Sequence, residues 1–248
     1  MSGLPRAEAE AWLESWDRQQ ERYLPDREER FGYLTALVCV APPDRALRVL
    51  DLACGPGSLT KRILAVRADA EIVAVDLDPA LLAIYRSLNP EVLVVEADLR
   101  RSGWSEAAGG EFDAVVTATA LHWLSGPEVR RLYAELFRKL RSGGVFLNAD
   151  HAPLDGSPDL ARRCADVLNG EIDALPGERH DWESWWSRMH EDLVLGPLVA
   201  ERNRRFADRG DEFAPPEDWH LSALADAGFA ECAVVWRRGR DAIIAAVR

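Results

Sequence analysis

Cysteine is scarce in this sequence of 248 residues, and the four present exclude two chemistries. Cys39, Cys54, Cys164 and Cys232 form no C-x-x-C pair and lie far apart. That argues against a disulfide framework and a thiolate metal site, and for structural thiols in a reducing compartment. Cys54 has no activating neighbour in sequence, so no redox role is expected of it. Long apolar runs are missing too: none approaches the roughly 20 residues that span a bilayer, and no membrane partner is expected. The stretch MSGLPRAEAEAWLESW lacks a basic segment followed by an apolar one, so it does not read as a signal peptide, and the expected location is cytoplasmic. Positive charge is in deficit, with 42 acidic against 30 basic residues and a net charge of −12. Such a chain offers no overall basic face for counterion exchange, and a nucleic-acid partner is not expected. Arg202, Arg204 and Arg205 read as a solvated helix face. Lysine occurs only at Lys61 and Lys139, an arginine bias that points to a GC-rich bacterial genome and says nothing about fold.

What is present is a strand–helix alternation. Residues 6–23 have helical spacing, with Leu13, Trp16 and Tyr23 on one face. A second helix is expected to start at Asp26 as N-cap with Glu29 in capping-box position, and to stop at Pro42 and Pro43. Strands are predicted at Arg48–Leu52, Glu71–Asp76, Glu91–Glu96, Asp113–Thr117 and Gly144–Asn148. Helices are predicted near 58–67, 79–88 and 127–141, the last closing with Arg141 in its final turn and Gly143 just past it. Short apolar strands between helices predict a parallel sheet covered on both faces. Residues 151–220 carry helix starts at Ser157 and Asp181 but no strand pattern. Glu231–Trp236 and Asp241–Val247 then read as a hairpin around a four-residue turn, so one strand must run antiparallel to the rest. The fold expected is α/β: a doubly wound, Rossmann-like sheet of seven strands, mostly parallel. Four parts are expected: an N-terminal helical cap at 1–44, a nucleotide-binding core at 45–150, a helical lid over the substrate at 151–220, and a closing hairpin at 221–248.

The stretch VLDLACGPGSLT, 49–60, is the turn of a nucleotide-binding unit. It departs from the dinucleotide pattern G-x-G-x-x-G in three ways. Thr60 stands where the third glycine belongs, Pro56 has no N–H to give, and Asp51 puts a carboxylate where a pyrophosphate would lie. A carboxylate there suits a cationic ligand. S-adenosylmethionine carries an ammonium and a sulfonium against one carboxylate, and no phosphate. Asp76 ends the second strand, 21 residues after Gly55, where doubly wound folds hydrogen-bond a ribose diol. Asp98 follows the third strand, placed to accept from an adenine amino group. Three acids after three successive strands define one crevice edge.

At this point the sequence resembles the class I S-adenosylmethionine-dependent methyltransferases, in particular the bacterial small-molecule enzymes of the trans-aconitate methyltransferase-like group. The resemblance rests on VLDLACGPGSLT, IVAVDLDPALL, VLVVEADLRR, FDAVVTATALHWL and LRSGGVFLNAD, in order and spacing, over residues 47–149. It implies that Asp51, Ala53 and Gly55 surround the methionine part, with Gly57 allowing close approach. It implies that Asp76 holds the ribose, Leu77 packs on the adenine, Asp98 and Leu99 meet its edge, and Thr117 and Ala118 lie beneath the ligand. Ala53 stands where the family often has its first glycine.

Methyl transfer is an in-line displacement, and a hydroxyl or protonated amine acceptor also needs a base. His122, after the fourth strand, and His151, after the fifth, are the candidate bases or orienting residues. His180, His190 and His220 fall in the expected lid. The stretch HDWESWWSRMH places Trp182, Trp185, Trp186 and Met189 at helical spacing. These form either a packing stripe or an aromatic wall over the acceptor, with Trp12, Trp16 and Trp123 closing the pocket. Arg162, Arg163, Arg179 and Arg188 are the alternative, as a clamp for a carboxylate. The scattered histidines and cysteines show no metal-ligand spacing, and no metal is expected. The partner expected is a small molecule, the assembly a monomer or homodimer. A member of the fold that uses the cofactor for a non-methylating reaction such as a cyclisation stands as the alternative; a protein or RNA methyltransferase fits the acidic chain and long lid less well.

Overall fold

Alternation within each apolar run decides which layer it buries. The computed structural model describes residues 3–21, 23–24, 26–39, 46–153, 158–173 and 182–248. Two helices, α1 (Arg6–Glu21) and α2 (Arg27–Val38), precede β1 (Arg48–Leu52), α3 (Ser58–Val66), β2 (Glu71–Asp76), α4 (Pro79–Leu88) and β3 (Leu93–Glu96). Then come α5 (Trp104–Ala107), β4 (Phe112–Ala118), a single 3₁₀ turn at Leu121–Trp123, α6 (Gly126–Lys139) and β5 (Leu140–His151). The chain continues as α7 (Pro158–Asp173), α8 (Trp182–Glu191), α9 (Gly196–Arg205), α10 (Glu217–Ala227), β6 (Glu231–Arg238) and β7 (Asp241–Val247).

The seven strands make one sheet in the order β3-β2-β1-β4-β5-β7-β6. β7 runs antiparallel to both neighbours and the other adjacent pairs are parallel. Leu50, Leu52, Val115 and Phe146 face one side, where Leu132 and Leu136 of α6 and Leu224 of α10 cover them. Their strand neighbours Val49, Ala114, Val116 and Leu147 face the other, under Phe31 and Leu34 of α2 and Ile63 of α3. Period-2 alternation thus feeds two layers of core, which is why these strands read as unbroken apolar runs. A third cluster joins Leu13 of α1, Ile84 of α4, Trp185 and Met189 of α8, and Val199 of α9. It fixes the first helix and the late helices onto α4, beside the crevice where the strand order reverses between β1 and β4.

Three local expectations change. The last turn of α6 does not close with Arg141 and Gly143: Leu140 is already extended at ψ 150°. The pairing register jumps from Phe112 opposite Leu140 to Ala114 opposite Val145. Residues 141–144 are therefore a bulge, with Gly143 at φ +76° and Arg141 turned to Asp113 at 2.7 Å. The capping box at Asp26 does not form either, because Asp26 makes no cap hydrogen bond. Asp26 pairs with Arg238, and Glu29 accepts from Trp236 Nε1 at 2.8 Å; partners on β6 outcompete the local cap. The hairpin is tighter than expected, with β6 running to Arg238 and only Gly239, at φ +56°, and Arg240 in the turn. α10 straddles the expected boundary at residue 220 and packs against the core, with His220 buried against Tyr133 at 2.7 Å. Pro42, Pro43, Ser157, Arg179, His180 and Asp181 lie outside the described residues. Among the described residues no helix is long and apolar enough to cross a membrane.

Candidate active site

The turn after β1 is held by side chains from two neighbouring elements. Asp51 is buried at its start. It accepts from Thr60 Oγ1 at 2.6 Å, and the same hydroxyl lies 2.8 Å from Tyr85 Oη. The single Thr60 proton goes to the carboxylate, so Tyr85 donates to Thr60, and the three groups form one polarised chain. Burial pushes the Asp51 carboxyl up to about 7, against the pull of the Thr60 hydrogen bond. Across the turn, Gly55 N–H donates to Asp76 Oδ2 at 2.7 Å and Asp78 N–H donates to Asp76 Oδ1 at 2.8 Å. One carboxylate thus ties the loop after β1 to the loop after β2. Ala53 sits at φ +55°, a left-handed conformation that costs a residue with a Cβ about 1 kcal/mol or more and explains a glycine preference there.

These loops form one wall of a cavity of about 860 Å³. That exceeds what a nucleoside amino acid alone fills and leaves room for an acceptor. Asp51, Ala53, Gly55, Asp76 and Leu77 line it, as do Asp98, Leu99 and Ala118. Asp98 is not open: Arg100 Nε donates to its two oxygens at 2.9 and 3.1 Å. Burial alone would raise the Asp98 carboxyl, but the Arg100 contacts bring it below the usual range. The donor set fits a cationic nucleoside. It offers acids at three strand ends, one of them, Asp51, buried and in no ion pair among the described residues.

Two expected nucleoside contacts fall outside the cavity. Gly57 does not line it. Its backbone, at φ +98°, closes on Tyr85, whose ring would stand 2.9 Å from a Cβ there, so the close approach is to the core and not to a ligand. Thr117 is fully buried inside the sheet. β4 runs one residue further than expected, so Ala118, Thr119 and Ala120 form the floor instead.

Trp16, Trp123, Trp182 and Trp186 also line the cavity. Trp12 and Arg188 do not: the Arg188 guanidinium lies 4.9 Å over the Trp12 ring, and Trp12 packs edge-on against Trp185. The α8 stripe is therefore divided: Trp185 and Met189 serve the core, Trp182 lines the cavity, and Trp186 does both. Arg162 is exposed and pairs with Asp159, Arg163 and His190 are exposed, and none of the three lines the cavity. Arg202 and Arg205 are not a solvated face. Arg202 reaches Asp78 at 2.7 Å and covers the Trp186 ring at 3.8 Å, while Arg205 donates to the Leu77 carbonyl at 3.0 Å. α9 is thereby fastened to the loop after β2. Arg204 alone of the three is strongly exposed.

His122 and His151 sit side by side, ring centroids 4.9 Å apart. His122 Nδ1 lies 2.7 Å from Asp150 Oδ1, and His151 Nδ1 lies 2.6 Å from Asp241 Oδ1. An ionised carboxylate only accepts, so each ring donates from Nδ1 and keeps Nε2 for other chemistry. Asp150 also accepts the backbone N–H groups of His122 and His151, at 3.1 and 2.9 Å. Burial would raise the Asp150 carboxyl, but the hydrogen bond and charge of His122 carry it down to about 2. Although the sequence shows no metal spacing, ligating atoms of His122, Asp150 and His151 lie within 4.8 Å of one another. Asp150 already accepts from three donors, and the Arg240 guanidinium stands 3.3 Å from His151 Nε2. Those contacts tie the group into one hydrogen-bonded network. Asp241, Thr60, Tyr85 and Arg202 were missed as site residues from sequence. Nothing local marks them: each meets the site through a partner at least nine residues away.

The Rossmann-like fold and the acid-lined cavity at its strand ends fit S-adenosylmethionine as cofactor. Residues 49–144 match the family described as a methyltransferase domain. The chain is similar to trans-aconitate 2-methyltransferase of Azoarcus sp. (strain BH72), 36% identical over 134 residues, which cover 54% of this chain and 50% of that protein. The match therefore spans about half the length of that relative. A second trans-aconitate 2-methyltransferase, from Delftia acidovorans, is 28% identical over 229 residues, 88% of this chain and 77% of that protein. Among solved structures, magnesium protoporphyrin IX methyltransferase from Synechocystis with bound SAH superposes with a TM-score of 0.57 at 16% identity, covering 95% of this chain and 94% of that one. The sugar N-methyltransferase KedS8 from Streptoalloteichus gives 0.57 at 18% identity and 91% coverage of each chain. At these identities the structures speak for the fold.

Proposed function

We propose that this chain transfers a methyl group from S-adenosylmethionine to an oxygen of a small-molecule acceptor, with His122 as base or orienting residue. The observation that carries the reading is the buried His122–Asp150 pair at the acceptor end of the nucleoside cavity. The cofactor supplies an electrophilic methyl group on a sulfonium. The rest is the work of this chain. Asp51 and Asp76 hold the ammonium and the ribose hydroxyls, Leu77 and Leu99 the adenine, and Ala118 the floor. For a hydroxyl acceptor, His122 Nε2 takes the proton while Asp150 fixes the tautomer and stabilises the imidazolium. Trp16, Trp123, Trp182 and Trp186 exclude water and hold the acceptor in line. Residues 151–220 act as the lid, and the protein works in the cytoplasm as a monomer or homodimer.

An acid is the first acceptor to test, as in the trans-aconitate enzymes it resembles. Arg240 lines the cavity and forms no ion pair among the described residues, which suits a carboxylate. A carboxylate nucleophile needs no base, so His122 would then only orient it. Incubation with S-adenosylmethionine and a panel headed by trans-aconitate is expected to yield a product heavier by one CH₂. A product without that gain would favour the non-methylating alternative. His122→Ala is expected to slow transfer to a hydroxyl about 10²- to 10⁴-fold, with S-adenosylhomocysteine affinity kept. Unchanged turnover would make His122 a packing residue. S-adenosylhomocysteine at a hundred times its Kd is expected to stabilise the fold by about 2.7 kcal/mol and NAD not at all. Stabilisation by NAD alone would sink the reading of the loop.

A further inference from the structure

Six arginines among the described residues line the cavity, and what each one meets divides them. Arg27 pairs with Asp17, Arg100 with Asp98, Arg202 with Asp78 and Arg238 with Asp26. Arg209 and Arg240 form no ion pair among the described residues. We propose that these two are the specificity-determining residues of the histidine end of the cavity: each takes one carboxylate of the acceptor, and together they select a diacid over a monoacid.

The two guanidiniums flank the histidine pair. On one side, Arg209 Cζ lies 3.0 Å from the centroid of the Trp123 ring, and that ring stands 4.8 Å from the His122 ring. On the other side, Arg240 Nη2 lies 3.3 Å from His151 Nε2. The two histidine rings are 4.9 Å apart, and all of these side chains line the one cavity. The loop that carries Arg209 is tied to the histidine turn, because Phe213 N–H donates to the His122 carbonyl at 2.7 Å. Arg209 N–H donates in turn to the Phe206 carbonyl at 3.2 Å. The backbone is held in place while the charge at the end of the side chain is left unmet.

Arg209 is half-buried, and its Nε is buried with no hydrogen-bond partner. Such a group gives up hydration and receives only a ring face in return. Stacking on Trp123 uses one face of the planar guanidinium and leaves free its edge, the fork of N–H donors that matches a carboxylate. Arg240 is exposed, and its hydrogen bond goes to a ring nitrogen and not to an anion. The acids nearby do not fill the gap. Asp241 is engaged by His151 at 2.6 Å, Asp150 by His122 at 2.7 Å. Glu212, in the same loop as Arg209, also lines the cavity but is exposed, where water screens it. A monoacid meets one arginine and leaves the other without a counter-ion, whereas a diacid meets both. A site built to pair two groups rejects an analogue that lacks one, because its own donors are then left unmatched. The inference rests on the reading of this end as the acceptor's place, and not on which atom is methylated.

The test is calorimetry on the full chain saturated with S-adenosylhomocysteine, with succinate, fumarate, glutarate and adipate as probes, each against its monomethyl ester. The best diacid is expected to bind about tenfold or more tighter than its ester, the scale of one hydrogen-bonded charge contact. Arg209→Met and Arg240→Met are each expected to weaken that diacid about tenfold and to bring diacid and ester within about twofold of each other. Arg209→Lys and Arg240→Lys keep the charge, lose the fork and are expected to fall between. Affinity for S-adenosylhomocysteine is expected to hold in all four, which separates a lost contact from a lost fold. Should a methionine variant not fold, the lysine variant at the same position carries the comparison. A parent that binds no diacid of the series more tightly than its ester would overturn the proposal. So would a variant at either position, shown by melting to be folded, that keeps the parent's preference and affinity. If the diacid binds through both arginines and gains no CH₂, the transfer reading falls and the two arginines keep their role. If an acceptor without acids is methylated while diacids bind no better than their esters, this proposal falls and transfer stands.

Discussion

Replacing Asp76 with alanine is expected to remove nucleoside affinity and a part of the fold together. The Asp76 carboxylate accepts Gly55 N–H at 2.7 Å and Asp78 N–H at 2.8 Å, so it fastens the loops after β1 and β2 before any ligand arrives. Hydrogen bonds to a charged group are worth about 1.5–3 kcal/mol each. Burial already pushes this carboxyl above its ordinary range, and that cost offsets some of the gain. A loss of about 2–4 kcal/mol in urea melts is expected on that balance. S-adenosylhomocysteine affinity, read by calorimetry, is expected to fall about tenfold or more, because the ribose loses its acceptor and the loop its pin. Asp76→Asn keeps an oxygen for one of the two amides and should fall between. Affinity within about twofold of the parent in a folded Asp76→Ala would take Asp76 out of the ribose role.

The second large effect is a pH dependence that changes sign when ligand binds. Burial raises Asp51 from 3.8 to about 7. The folded chain therefore binds this proton more tightly than the unfolded chain does. Its contribution to stability is fully present below about pH 4 and is lost as pH rises through about 7. A shift of that size corresponds to about 4 kcal/mol, an upper figure for one buried group. Asp51→Asn removes the titration, so the ligand-free variant is expected to be the more stable of the two at pH 8, by an amount reduced by the weakened Thr60 hydrogen bond. Asp78, raised to about 6 mainly by burial, titrates in the same window in both proteins and cancels in the comparison. Binding is expected to run the other way. An ammonium needs the carboxylate ionised, so affinity for S-adenosylhomocysteine should rise in the parent as pH passes about 7. In Asp51→Asn it should be weak and nearly flat. A parent whose affinity ignores pH between 6 and 8 (the range flanking about 7) would mean that Asp51 does not meet the ammonium.

How far the sequence reached can be argued from single elements. β1, β2 and α4 lie where their spacing put them, Arg48–Leu52, Glu71–Asp76 and Pro79–Leu88, because period and caps there agree with the tertiary outcome. Asp78 caps α4 by accepting from Ala80 N–H at 2.9 Å, ahead of a proline at N1. At RSGG the local signal misled. Gly143 does need positive φ, but the need comes from a bulge against β4 and not from a helix end. Asp26 shows the same limit. Its cap signal was sound, yet Arg238, 212 residues on, offered a full charge in place of a backbone dipole. Asp51, Asp76 and Asp98 all line the cavity, because each lies at or just past a strand end on the crevice edge. Thr117 and Gly57 stay outside the cavity lining through one residue of strand length and the identity of the neighbour behind a turn.

The sequence by itself determined the class of ligand. An acid before the loop, a proline within it and acids after the next two strands are local facts, and together they select a cationic nucleoside over a pyrophosphate. Tertiary structure alone decided the histidine end of the cavity. His122 meets Asp150 across 28 residues, His151 meets Asp241 across 90, and Arg30 reaches Thr119 across 89. No periodicity or spacing encodes those meetings. They arise because β7 enters the sheet antiparallel beside β5, setting His151 opposite Asp241, and because α2 packs its buried face beneath the same strand ends.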